Sequence, residues 1–207
     1  MIVEIAGLPG AGKSTVAAAL CADGICSIHD IAKPASASGR TTTMVRSVRV
    51  LGGAAATMLR SERPWRDRVD ALRFLGVTLD DHRRAVEAAG SVWLVDEGVV
   101  QRSVMLFVER SGVAPIATWQ RYWHSAPLPD VLVRVDVDPS IAVDRLRSRD
   151  RGVPPRLAGL PDEALVALFA RTAERLAAVP VGVVLPVRSD DGADALAEVR
   201  RKLLEAA

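Results

Sequence analysis

Ile2-Val3-Glu4-Ile5-Ala6-Gly7-Leu8-Pro9-Gly10-Ala11-Gly12-Lys13-Ser14-Thr15 opens on an apolar run, passes three glycines and ends on a lysine followed by two hydroxyl residues. Gly7, Gly12, Lys13 and Ser14 fill the fixed positions of G-x-x-x-x-G-K-[ST], whose glycines let successive backbone N–H groups turn inward around phosphate oxygens. The apolar run reads as a buried parallel strand, and the stretch from Ser14 to Leu20 reads as a helix whose N-terminus adds partial positive charge at the same point. Strand, loop and helix in that order are the setting in which this pattern holds a triphosphate.

Working outward, four more short apolar runs read as strands: Ile25 to Ile28, Ser91 to Val95, Val131 to Val135 and Val181 to Val187. Helical spacing fills most of the chain between them. It covers Val45 to Arg60, Arg68 to Ala89 after a break at Pro64, Val100 to Arg110, Ile116 to Trp123, Asp162 to Ala178 and Gly192 to Leu204. A further helix starts at Asp138-Pro139, with Asp as the cap and Pro in the first turn, and runs to about Arg149. Strands alternating with helices imply an α/β fold, a five-stranded parallel sheet with helices on both faces that binds ligands beyond its carboxyl strand ends. With 207 residues and 49% apolar content, the expectation is a single domain over 1–207.

Lysines and arginines total 27 against 25 acids, so a net charge of +2 supplies no global field to recruit nucleic acid. Lysine occurs only at 13, 33 and 202, which makes Lys13 conspicuous. Cys21 and Cys26 complete no zinc spacing and read as buried thiols. No basic leader precedes the first apolar run and no apolar stretch reaches bilayer length, so a cytoplasmic location without membrane contact is expected.

The chemistry-bearing residues gather at the expected strand ends. Gly10, Ala11, Gly12, Lys13, Ser14 and Thr15 would cradle the triphosphate, Lys13 bridging its β- and γ-phosphates and Ser14 ligating Mg²⁺. Asp96, closing the apolar run Val92 to Val95, is the second magnesium candidate. Glu97 is open between a general base, a substrate contact and an anchor for Arg102. Asp30, after His29 at the end of the second strand, is either the base that takes a proton from an acceptor hydroxyl or an Asx turn. Arg147, Arg149 and Arg151, with Arg145 before them, enter a Gly- and Pro-rich segment, and we read 147–160 as a lid that brings cations to the transferring phosphoryl group. Residues 29–68, with several arginines around Trp65, form the expected acceptor-binding region, and Trp119, Tyr122 and Trp123 read as core.

With GLPGAGKST, VWLVDEG and VLVRVDVDPSIAVDRLRSRDRG in hand, the chain resembles the P-loop kinases of the nucleoside and nucleotide kinase superfamily, particularly thymidylate kinase-like proteins, over nearly its whole length. The resemblance implies a P-loop NTPase fold of the nucleotide kinase type. It also implies triphosphate binding at Gly10, Gly12, Lys13, Ser14 and Thr15, magnesium near Asp96, and lid contacts from Arg147, Arg149 or Arg151. Asp96 is followed by Glu97 where thymidylate kinases usually carry Asp-Arg. The expected activity is ATP- and Mg²⁺-dependent transfer of the γ-phosphate to a small-molecule acceptor, a nucleoside, nucleotide or other hydroxyl or phosphate compound, with a homodimer left open. One alternative is a nucleotide-hydrolysing switch acting on a protein partner. A nucleic-acid end kinase is a third, which the near-zero net charge disfavours.

Overall fold

The computed structural model describes residues 1–22, 26–27, 48–59, 61, 63–87, 92–150, 152–188 and 192–206. A parallel sheet organises them, in the order β2 (Cys26–Ser27), β3 (Trp93–Val95), β1 (Ile2–Gly7), β6 (Val131–Asp136), β7 (Val183–Arg188). β1 lies at the centre, with Val3 opposite Leu94 on one side and Val131 on the other. All six of its residues are buried, which is why its sequence shows no apolar–polar alternation: neither face meets water. The edge strand β7 tolerates Pro186, which has no N–H to give to a ladder.

The described helices are α1 (Lys13–Ala22), α2 (Val48–Leu59), α3 (Trp65–Glu87), α4 (Val99–Phe107), α5 (Ile116–Ser125), α6 (Pro139–Arg147), α7 (Asp162–Ala177) and α8 (Gly192–Ala206). The chain moves from β1 outward to β2, returns through β3, then crosses to β6 and β7. Right-handed crossovers put α1 on one face during the outward move and α2 to α7 on the other during the return, and α8 packs beside α1. The winding therefore reverses around β1, and a crevice opens at its carboxyl end.

The α/β expectation with a parallel sheet holds, with changes at the element ends. The helix expected from Val100 to Arg110 stops at Phe107, and Val108–Glu109 (β4) pairs antiparallel with Gly112–Val113 (β5) across a turn in which Gly112 takes φ +143°. Strands of two residues carry too little alternation to register in sequence. α3 begins at Trp65, immediately after Pro64, rather than at Arg68. α6 starts as expected: the Asp138 carboxylate accepts the Ser140 N–H at 2.8 Å, and Pro139 occupies the first turn.

Trp119, Tyr122 and Trp123 are buried, as their spacing indicates. With Phe107 they form a chain of ring contacts, centroids 5.3 to 5.5 Å apart, and the Tyr122 hydroxyl donates to the Val99 carbonyl at 3.0 Å. Among the described residues, no helix is long and apolar enough to cross a membrane.

Candidate active site

The loop after β1 has the backbone geometry of an anion cradle. Gly10 and Gly12 take φ of +92° and +87°, the left-handed region that side chains disfavour. At Gly10 a Cβ would also stand 2.2 Å from the Ala142 carbonyl oxygen, because α6 packs directly on the loop. The Thr15 and Val16 N–H groups both donate to the Gly12 carbonyl, at 3.0 and 3.2 Å, and start α1 there. Ser14 and Thr15 stand exposed in its first turn.

Lys13 arches back over the loop, its Nζ donating to the carbonyls of Gly7 at 3.1 Å and Leu8 at 2.9 Å. Burial pushes its ammonium down to about 8; Glu97 and Asp96 pull it back up, while Arg149 adds to the depression. Charges from the end of β3 and from the segment after α6 thus act on one amine of the loop.

At the end of β3, Asp96 is half-buried and Glu97 is exposed. The Glu97 carboxylate lies 2.8 Å from the Arg102 guanidinium, so of the three roles open to it the anchor is the one realised here. Arg102 also donates from Nε to the Thr78 hydroxyl at 3.0 Å and stacks its guanidinium 5.3 Å from the Phe74 ring centroid. Strand end, α3 and α4 are joined through this one side chain.

Sequence reasoning missed Glu4. It sits fully buried in β1, and the two oxygens of its carboxyl group accept the N–H groups of Val100 at 3.1 Å and Gln101 at 2.7 Å, satisfying the first turn of α4 from another element. Gly98 is required beside it, since a Cβ there would meet the Glu4 carboxyl carbon at 2.3 Å. Burial raises Glu4 to about 8, outweighing the backbone donors Gln101, Val100 and Val99 and the Arg102 charge, which favour its charged form. Gln101 in turn accepts the Gly7 N–H on its side-chain oxygen at 3.0 Å. The available signal was a lone acid inside an otherwise apolar strand.

The arginines expected in a lid differ in what they touch. Arg147 donates to Asp162 at 2.9 Å and to the Leu160 carbonyl at 2.7 Å, bridging the two ends of the segment. Arg149 is exposed and electrostatically linked to Lys13. Arg156, also missed, is half-buried; burial and the neighbouring Arg63 push it down to about 10, with Glu97 opposing. Arg63, expected on the acceptor side, instead holds the β4–β5 hairpin through Glu109 at 3.1 Å and the Val108 carbonyl at 3.0 Å. Asp30, His29 and Arg151 lie outside the described residues, as do residues 29–47, 60 and 62 of the expected acceptor region.

Two hollows accompany this arrangement. One of about 320 Å³ borders the phosphate loop at Gly7 and Leu8 and is closed by the end of β6 and the last turns of α7. The other, about 760 Å³, lies between α2, the hairpin and α5 and does not reach the loop residues. Neither hollow is lined by Lys13, Ser14 or Asp96; the first touches the loop only at its start, Gly7 and Leu8.

No family model matches the chain. It is 28% identical, over 152 residues, to a protein of Pyrobaculum aerophilum described as a probable thymidylate kinase, an alignment covering 71% of this chain and 70% of the relative. The fold resembles deoxyadenosine kinase from M. mycoides with the products dCMP and dCDP bound, at a TM-score of 0.54 and 13% identity over all of both chains. The same enzyme with bound dATP gives a TM-score of 0.52 at 13% identity, over 99% of this chain and 100% of that one. At 13% identity the likeness to these solved structures is one of fold. The chain is thus similar in sequence to a probable thymidylate kinase and similar in fold to deoxyadenosine kinase.

Proposed function

We propose that the protein is a phosphotransferase that moves the γ-phosphate of ATP to a small-molecule acceptor, with nucleosides and nucleotides the first classes to consider. The observation that carries this reading is the convergence on Lys13: an amine on a glycine cradle at a helix N-terminus, under the influence of Asp96, Glu97 and Arg149. In-line phosphoryl transfer asks a protein for positioning and charge neutralisation more than for covalent chemistry, and this set supplies both. The relative's description as a probable thymidylate kinase and the nucleotides held by the deoxyadenosine kinase structures support the acceptor classes.

The residues present fit a triphosphate. The two left-handed glycines leave loop N–H groups without side chains in the way, and α1 starts at the same point. Ser14, exposed in the first turn of α1, and Asp96, at the end of the neighbouring strand β3, would hold Mg²⁺. Mg²⁺, when bound, neutralises phosphoryl oxygens and fixes their orientation. Gly10, Ala11, Gly12, Lys13 and Thr15 bind the phosphates, and Arg149, with Arg151 and Arg147, acts from a lid over 147–160 that excludes water. Because Arg102 already engages Glu97, Asp30 is the better candidate for the base on the acceptor side of 29–68.

A coupled assay of ADP release across nucleosides, nucleotides, sugars and aminoglycosides tests the proposal. Acceptor-dependent release that Lys13→Ala abolishes in a folded protein is the expected result. ATP hydrolysis independent of every acceptor, and lost in Glu97→Gln, would replace it with the nucleotide-switch reading.

A further inference from the structure

Gly7 begins the glycine loop, and its N–H is given to a side chain 94 residues on, Gln101. Its carbonyl faces Lys13. The first peptide groups of the loop are therefore held between Gln101 and the lysine that serves the phosphates. There is no slack at this point: a Cβ on Gly7 would stand 2.6 Å from the Val135 carbonyl oxygen, so the backbone is wedged against β6.

What holds Gln101 is equally specific. Its own N–H is bonded to Glu4 at 2.7 Å, one residue after Val100 bonds the other oxygen of the same carboxyl group. The next residue, Arg102, carries the ion pair to Glu97. One turn of α4 thus touches the floor of β1, the mouth of the phosphate loop and the acidic end of β3. All three contacts involve consecutive residues, so the turn cannot move at one of them without moving at the others.

We infer that Gln101 is a positioning residue for the phosphate loop: its side-chain carbonyl oxygen sets the Gly7 peptide, and Glu4 sets Gln101. The inference rests on the phosphotransferase reading, since it assigns the tether a consequence for nucleotide binding. A neutral amide suits the position better than a carboxylate, because it accepts the Gly7 N–H without adding negative charge beside a triphosphate site.

Gln101→Met keeps the side chain's length and removes the oxygen. Titration calorimetry with ATP and Mg²⁺ is expected to show affinity lower by about tenfold, the range for a buried N–H left without its partner. Ser103→Ala is the matched control: Ser103 is equally buried on α4, but its hydroxyl donates only to the Val100 carbonyl of its own helix. It should lose stability without losing affinity. Equal affinity of Gln101→Met and wild type, or equal losses in both variants, overturns the inference while leaving the phosphotransferase reading intact. Wild-type protein that binds no ATP overturns both. Should Gln101→Met not fold, hydrogen exchange of the wild-type Gly7 amide decides: protection comparable to the β1 core is expected, and rapid exchange overturns the tether.

Discussion

Replacing Glu4 by glutamine should change how stability depends on pH, and in a direction opposite to that of an ordinary ion-paired acid. Folding raises the Glu4 carboxyl from 4.5 to about 8, through burial. The folded state therefore keeps a proton that the unfolded chain releases above about pH 4.5, and the stability this group contributes is full below that value and lost as pH rises toward 8. At about 1.4 kcal/mol per pH unit, the whole shift is worth up to about 5 kcal/mol. The glutamine amide would keep one acceptor oxygen but present an NH₂ to the second backbone N–H, at a cost of about 1–3 kcal/mol that does not depend on pH. Wild type should thus be the more stable protein below about pH 5, and Glu4→Gln should overtake it between about pH 5 and 7, with the gap levelling off above about pH 8. Urea denaturation of both proteins across this range measures the difference. His82, whose folded-state value is lowered by burial, contributes an opposite slope below 6.5 to both proteins and cancels in the comparison. A gap that stays constant, or one that widens in favour of wild type as pH rises, would refute the argument; widening would mean that the two N–H groups hold Glu4 ionised.

Lys13 gives a second pH signature: with its ammonium lowered to about 8, ATP binding should take up a proton above that pH, and affinity should fall by up to about tenfold per unit. Calorimetry in buffers of different ionisation enthalpy reads the proton directly, and affinity unchanged from about pH 7 to 9.5 would contradict it. Gly10→Ala forces a side chain into a left-handed conformation against the Ala142 carbonyl, so it should destabilise the fold by about 1–3 kcal/mol and abolish ATP binding, as seen in paired melting and binding curves. Trp119→Ala should cost about 3–5 kcal/mol in chemical denaturation while leaving the ATP affinity of the folded protein unchanged, because its ring lies in the aromatic core and not at the loop. Arg147→Ala breaks an exposed ion pair with Asp162 and should alter stability by less than about 1 kcal/mol, so any large drop in turnover would report on the lid rather than on folding.

Sequence reading did well where a property belongs to contiguous residues. Asp138-Pro139 caps a helix because side chain and backbone donor are two residues apart, and the cap is visible in any short window. The aromatic trio at 119, 122 and 123 declared itself core by helical spacing alone. It did less well with the arginines. Arg63, Arg102, Arg147 and Arg156 look alike along the chain, but one holds a hairpin, one anchors Glu97, one ties the end of α6 to Leu160 and Asp162, and one stands beside another cation. A guanidinium on a long side chain takes its role from whichever carboxylate or carbonyl the fold brings within reach, and local pattern says nothing about that.

The stretch from Ile2 to Thr15 determined by itself that a strand feeds a glycine loop and a helix, since left-handed φ at Gly10 and Gly12 and the start of α1 are properties of neighbouring peptide units. Only the tertiary structure decided what that loop is fastened to. Glu4 reads as an anomaly in a buried strand until α4 brings Val100 and Gln101 to it from as far as 97 residues away, and Gly7 reads as a loop glycine until Gln101 claims its N–H. Hydrogen bonds of that separation depend on the order of strands in the sheet and the direction of the crossovers, which are settled by the packing of the whole chain.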